Sequence, residues 1–184
     1  MFYGRITSQW GRLTAKISGE GALCGLWFEN QKYFPSIDAD AIWLNRVDSP
    51  SEIPRQVTRT FNQLMDQLSQ YENGERQTFD IPLAPSGTPF RKVVWDALLQ
   101  VPYGQTSTYG QIAALVAKRL GKKTMSGQAT GGAVGHNPIS IIIPCHRIIG
   151  KNGALTGYAG GLDKKEALLL HERRHKEKGH HQAT

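Results

Sequence analysis

Cys145 is one of only two cysteines in 184 residues, and His146 and Arg147 follow it directly. A thiol attacks as its thiolate, and a neighbouring cation or imidazole base favours that form. The surrounding run, Ile142 to Gly150, is otherwise apolar and strand-like. Apolar flanks alone raise a thiol's pKa and leave it inert. The imidazole and guanidinium are therefore what single out Cys145 as a candidate nucleophile. Cys24, between Leu23 and Gly25 in another strand-like run, reads as a small core residue. His175, His180 and His181 read as part of a solvated basic tail, because a metal cluster needs better spacing and a structured frame.

These residues need elements to position them. Residues 2–29 read as β structure: Tyr3–Thr7, Leu13–Ile17 and Leu23–Phe28 are strand-like, with Gly11, Gly19 and Gly21 between them. Within 50–74, Val57, Phe61, Leu64, Met65 and Leu68 recur at helical spacing, and Asn73-Gly74 ends the helix. Residues 76–83 read as extended. Pro82, Pro85, Ser86 and Gly87 form a linker. Three spans follow: 1–84 as an N-terminal α/β domain with an antiparallel sheet, 85–172 as a mainly helical domain, and 173–184 as a basic, flexible tail.

The second half opens with Thr88 as an N-cap and Pro89 at the first helical position. Phe90, Val94, Ala97, Leu98 and Val101 give that helix its apolar face. Pro102-Tyr103-Gly104 ends it. Thr108 to Gln111 is a capping box, with Ile112, Leu115, Val116 and Leu120 as the next apolar face and Gly121 as its C′ residue. The segment Ser126–Gly135 contains four glycines, each costing a helix roughly 1 kcal/mol relative to alanine. Such a helix makes sense if it must be slim enough for the minor groove, but composition alone favours close helix packing or a plain glycine-rich loop. A last helix begins at Asp163.

Length allows one large domain or two small ones, and 39% hydrophobic with 20% charged residues fits a soluble globular chain. No apolar run approaches the ~18 residues that span a membrane. The N-terminus lacks a signal-peptide pattern, and two cysteines are too few for a disulfide framework, so a cytoplasmic setting is expected. Residues 1–87 carry eight Lys/Arg against ten Asp/Glu, a net of −2; residues 88–184 carry fourteen against five, a net of +9. The second half is the one suited to a polyanion, with a merely solubilising basic face as the alternative. Two short helices joined by a turn in that half suggest a helix-turn-helix.

Pro144-Cys145-His146-Arg147, preceded by Asn137-Pro138 and followed by Gly157-Tyr158-Ala159-Gly160-Gly161 and His171-Glu172, resembles the signature of the O6-alkylguanine-DNA alkyltransferases, the methylated-DNA–protein-cysteine methyltransferases. The resemblance runs from about Gly87 to Glu172, and residues 1–80 look like that family's more variable N-terminal domain. It implies an α+β protein whose C-terminal domain carries a winged helix-turn-helix-like motif. It implies one-way transfer of an alkyl group from O6 of a flipped guanine in double-stranded DNA to Cys145, with O4 of thymine as a further candidate position. The protein would act once, without a cofactor or membrane, as a monomer.

By the same resemblance Cys145 is the acceptor, His146 its base through a water, and Glu172 the carboxylate that orients His146. Tyr109 stands near the flipped nucleotide as a donor to the leaving guanine. Asn137 is a hinge, and Tyr158 is an aromatic wall. The Ala159 amide faces O6, and the carbonyls of Cys145 and Ile148 face the exocyclic amine. Ala129, Gly131, Arg147 and Lys165 fall among the substrate- or DNA-contacting residues.

Two features depart from that pattern. Gln128 stands where many relatives have an arginine that fills the gap left by the flipped base. The stretch Val116–Met125 is longer than in some relatives, and its Lys118, Arg119, Lys122 and Lys123 suggest extra phosphate contacts. Cys24 has no second cysteine nearby and residues 1–87 hold no histidine, so no zinc site is expected. A non-catalytic, lesion-sensing DNA-binding protein is the main alternative. A cysteine hydrolase is a weaker one, since such enzymes draw their base from elsewhere in the chain.

Overall fold

A computed structural model describes residues 1–37, 39–44 and 52–179. The chain divides into two compact units, Met1–Ser86 and Gly87–Thr184.

In the first unit, β1 (Phe2–Ser8), β2 (Gly11–Ile17) and β3 (Leu23–Phe28) form an antiparallel meander. A fourth strand, β4 (Ile42–Leu44), pairs in parallel with β1, giving the order β3-β2-β1-β4. The sheet is thus mixed rather than wholly antiparallel. Residues 29–41 must carry the chain from one sheet edge to the other, because a hairpin cannot join parallel strands. Three residues leave too little alternation for β4 to be read from sequence. Helix α1 (Arg55–Glu72) buries Val57, Phe61, Leu64, Leu68 and Tyr71, the face its periodicity marks. Phe61 sits so close to β1 that a Cβ on Gly4 would lie 2.1 Å from its ring, so that glycine admits the helix to the sheet.

Gly74 adopts a φ of 74° after α1, and the Glu75 and Gly74 amides return to Gln70 and Tyr71, closing a Schellman motif at the predicted stop. Residues 76–83 do not form a strand. Pro82 has no amide to give, so the segment is held by Leu23 donating to its carbonyl, one bridge to Leu83, and Gln67 exchanging two bonds with the Asp80 backbone. Cys24 is half-buried with its thiol on the Ala22 carbonyl, not a core residue as expected.

In the second unit, Thr88 caps α2 (Pro89–Leu98) by accepting from the Arg91 amide. Helix α3 (Tyr109–Arg119) starts with the full Thr108/Gln111 capping box. It ends at Gly121, with φ 63° and the Lys122 and Gly121 amides on Ala117 and Lys118. Ser126 then caps α4 (Gly127–Gly135), so the glycine-rich stretch is a helix. The Trp95 indole donates to the Ala133 carbonyl at 2.9 Å and ties α4 to α2.

Ser107–Thr108 (β5) and Ile148–Ile149 (β6) form a two-residue parallel pair. The last helix, α5 (Leu162–Gly179), continues past 173, where a flexible tail was expected. Glu, Lys and Arg are strong helix formers, and a turn already anchored by the buried His171 and Glu172 is extended at little cost. Residues 180–184 lie outside the described residues. No described helix is long and apolar enough to cross a membrane.

Candidate active site

Cys145 does not lie in a strand. It opens a short 3-10 turn, Cys145–Arg147, closed by the Arg147 amide on Pro144 and the Ile148 amide on Cys145. Just upstream Ile141 holds a φ of 69°, a region that β-branched residues rarely enter. That reversal and the missing amide of Pro144 break any ladder before the thiol.

Asn137, at the end of α4, organises this loop. Its Nδ2 donates to the Ile143 carbonyl at 2.8 Å and reaches Cys145 Sγ at 3.0 Å, while its Oδ1 accepts from the Ile139 amide. Burial pushes the Cys145 thiol up from its ordinary value; the Asn137 amide and then the Lys165 charge pull it back. Removing the Asn137 side chain strands buried partners. Asn137→Ala is expected to cost about 1–3 kcal/mol of stability, read from urea unfolding.

Lys165 is fully buried, with Nζ donating to the carbonyls of Ile148 and Thr156. Burial lowers its pKa to about 8, and the neighbouring thiol opposes that shift. The same Thr156 carbonyl accepts from the Tyr109 hydroxyl at 3.0 Å, so Tyr109 and Lys165 share one anchor. Burial and the nearby thiol also raise the pKa of Tyr109 and, further, of half-buried Tyr158.

His146 and Arg147 converge on Glu172 rather than on Sγ. His146 Nε2 lies 2.8 Å from Glu172 Oε1. Arg147 donates from Nε and Nη2 to the same carboxylate, and from Nη1 to the Val101 carbonyl at 2.6 Å. The Gly104 amide donates to Oε2 at 3.0 Å. Gly104 has a φ of 66°, and a Cβ there would meet Lys176 Cδ at 2.7 Å, so only glycine lets this loop approach α5. Burial alone would raise the Glu172 pKa, but His146 and Arg147 outweigh it and hold the carboxylate ionised.

An ionised carboxylate only accepts, so His146 Nε2 carries a proton. Burial drives the His146 pKa below its usual value, which keeps the ring neutral at pH 7 and leaves Nδ1 as the lone pair. That Nδ1 is buried and has no protein partner. The pattern is an imidazole oriented by a carboxylate, the geometry found in hydrolytic triads.

The loop and α5 thus bring Cys145, His146, Glu172, Asn137, Lys165 and Ile148 together, with Tyr109 and Tyr158 alongside. Arg147, expected among DNA- or substrate-contacting residues, instead holds Glu172, and its buried guanidinium is already satisfied. Ala159 is half-buried beside Tyr158, and Gln128 and Ala129 are exposed on α4. Gly131 lies near Tyr109, where a Cβ would sit 3.8 Å from the ring. Residue-type reading missed the Val101 and Thr156 carbonyls and the Gly104 amide. These are backbone groups with no side-chain signature.

The family model described as "6-O-methylguanine DNA methyltransferase, DNA binding domain" matches residues 89–174. The "6-O-methylguanine DNA methyltransferase, ribonuclease-like domain" model matches residues 1–85. A methylated-DNA–protein-cysteine methyltransferase of Haemophilus influenzae is 38% identical over 174 residues, 94% of this chain and 87% of that one. One of Methanosarcina acetivorans is 54% identical over 109 residues, 59% of this chain and 67% of that one. The crystal structure of Mycobacterium tuberculosis OGT in complex with DNA superposes with a TM-score of 0.75 at 37% identity, covering 95% of this chain and 94% of that one. Both halves of the chain are matched, Cys145 and Glu172 fall inside the match over residues 89–174, and the chain belongs to the 6-O-methylguanine DNA methyltransferase family.

Proposed function

We propose that this protein repairs DNA by moving an alkyl group from O6 of guanine to Cys145, once per molecule. The observation that carries this reading is a buried thiol held by Asn137 and followed directly, in the same turn, by a neutral imidazole oriented by a carboxylate. In the step, the sulfur attacks the saturated carbon of the O-alkyl group. An S–C bond forms, the C–O6 bond breaks, and guanine leaves with that electron pair. The thiol proton passes through a water to His146 Nδ1, which has no protein partner, while Glu172 balances the imidazolium. Tyr109, the first residue of α3, is placed to donate to the leaving base once it exchanges its carbonyl partners. Nothing returns the thioether to a thiol, so the protein is consumed.

The base must leave the duplex first, because its O6 edge is hidden in the stack. Helix α4 suits that task. Its glycines are not required by packing among the described residues: a Cβ on Gly127, Gly132 or Gly135 would meet nothing within 4 Å there, and on Gly131 only ordinary contact. Close internal packing therefore does not explain a composition that costs stability. A groove outside the chain does. Gly132→Ala is expected to raise stability by about 0.5–1 kcal/mol and at the same time weaken duplex binding. Calorimetric melting and a gel-shift titration measure the two effects, and an unchanged DNA affinity would count against the groove.

Exposed Gln128 takes the place of the strand-filling side chain beside the opened base pair. Gln128→Ala is expected to slow repair in duplex DNA at least about tenfold while leaving reaction with a free O6-substituted guanine nearly unchanged. Equal losses on both substrates would show that Gln128 serves the pocket instead.

The two units then divide the work, with the DNA and the chemistry assigned to residues 85–172 and a supporting role to residues 1–84. The protein works as a cytoplasmic monomer and needs no cofactor. The direct test mixes it with duplex DNA containing O6-methylguanine and weighs the intact chain. Repair adds one methyl group at one equivalent and then stops. An unchanged mass with retained binding would favour lesion sensing.

A further inference from the structure

Between Asp96 and Asp163 the sequence has no Asp or Glu, yet it has six Lys or Arg. Arg147 is committed to Glu172 and the Val101 carbonyl. Of the other five, Lys118, Arg119, Lys122 and Lys123 fall together at the end of α3 and in its connector to α4. All four are exposed. Among the described residues none of them has an ion-pair partner. The connector is nonetheless held in one shape. Gly121 reverses the chain at a φ of 63°, the Lys122 and Gly121 amides close on Ala117 and Lys118, and Ser126 caps the next helix. Four free cations are thus presented from a fixed turn between two capped helices.

Two plainer roles explain only part of this. Lys118 and Arg119 stand in the last turn of α3, where cations favour the helix's unpaired carbonyls. Lys122 and Lys123 lie beyond the reversal, outside that turn. A surface charged only for solubility mixes both signs. Here a single sign is kept from residue 97 to residue 162, which is the pattern suited to a polyanion. The cluster is also set apart from the chemistry. Tyr109, bonded to the Thr156 carbonyl, opens α3, and Arg119 closes it. Helical rise puts about 15 Å between those two positions.

We propose that Lys118, Arg119, Lys122 and Lys123 form a clamp on the phosphate backbone of duplex DNA, one that grips damaged and undamaged DNA alike. The clamp rests on the reading of α4 as the helix that enters the groove, and it adds a second contact outside the reacting site. Cations that neutralise phosphates release the counter-ions condensed on the duplex, and that gain does not depend on base identity. Phosphate contacts position a protein on DNA, whereas selectivity comes from the groove and the base pocket. The connector therefore keeps the protein on intact DNA between lesions, and α4 and the thiol loop choose the base.

The test compares the full chain with its Lys118→Gln/Arg119→Gln/Lys122→Gln/Lys123→Gln variant. Fluorescence anisotropy titrates each against a duplex with one O6-methylguanine and against the same duplex undamaged, over a range of salt concentrations. The slope of log affinity against log salt is expected to flatten by about 2 to 4, since each lost phosphate contact removes roughly 0.9. Both duplexes are expected to lose affinity by the same factor, about tenfold or more at ~0.1 M salt. The variant's melting temperature is expected to stay close to that of the parent, because no partner within the chain is lost. Lys32→Gln/Arg55→Gln removes two exposed charges from the first unit and is expected to leave the slope as it is. An unchanged slope in the fourfold variant, or a first-unit control that flattens it as much per charge, would overturn the clamp. So would a loss confined to the damaged duplex, which would place these residues at the opened base pair. A parent chain that shows the clamp's salt dependence but takes up no methyl group would refute alkyl transfer and leave the clamp standing.

Discussion

Cys145→Ser is expected to abolish methyl uptake from O6-methylguanine DNA completely, with no mass gain at any protein-to-DNA ratio. Serine keeps the shape and can still accept from Asn137, so the loop survives. An alkoxide, however, is far harder to form than a thiolate, and burial penalises either anion. The same variant should retain DNA binding, because α4 and the basic surface of α3 do not depend on the sulfur. Intact-mass spectrometry with a parallel gel shift separates the two outcomes. Methyl transfer to Cys145→Ser at an appreciable rate would remove the thiol from the mechanism. Uptake on Cys24 instead would do the same, and the burial that raises that thiol's pKa argues against that outcome.

Glu172→Gln carries the second large effect, and it falls on stability as well as chemistry. The carboxylate accepts from His146, from Arg147 at both oxygens, and from the Gly104 amide, all without exposure to solvent. An amide has one acceptor oxygen and no charge, so the Arg147 guanidinium is left buried without its counter-ion. Breaking a buried pair in this way typically costs about 3–5 kcal/mol. For a chain of this size that corresponds to a fall in melting temperature of roughly 10 °C. His146 also loses the group that fixes its tautomer, so the transfer rate drops even in the folded fraction. Adding Arg147→Met to Glu172→Gln is expected to restore part of the stability but none of the rate, since it removes the stranded charge and not the tautomer defect. A loss below about 1 kcal/mol on Glu172→Gln would mean that the ion pair is not what holds α5 to the loop.

The stops and starts of the helices were legible because they obey local rules. Thr88, Thr108, Gly74 and Gly121 cap helices through bonds that span three to five residues, and each does so at its expected place. The amphipathic face of α1 follows from its 3.6-residue period in the same way. Where the reading failed, the deciding interaction was not local. Apolar composition around Cys145 suggested a strand, but Pro144, the left-handed Ile141 and the Asn137 side chain turn the segment into a loop and a 3-10 turn. Charge density after Glu172 suggested a tail, but α5 runs on to Gly179 through Arg, Lys and Glu, which are strong helix formers. The sheet was read as antiparallel because β4 is too short to announce its parallel pairing.

The chemistry divides along the same line. Residue types in order were enough to nominate a nucleophile, an imidazole and a carboxylate, and to place a slim helix in a basic half. They also suggested that His146 and Arg147 act on the thiol because they adjoin it. Folding adds a partner that their order does not name: both side chains turn to Glu172, 26 and 25 residues away, and only His146 keeps a ring nitrogen without a protein partner. The thiol's pKa is set by burial, Asn137 and Lys165, and Glu172 is completed by an amide 68 residues distant. A side chain's partners depend on which buried groups remain unsatisfied after the chain has packed, and that balance is struck over the whole unit. Sequence alone therefore determined which groups this protein has for alkyl transfer, and only the tertiary structure decided which of them touch.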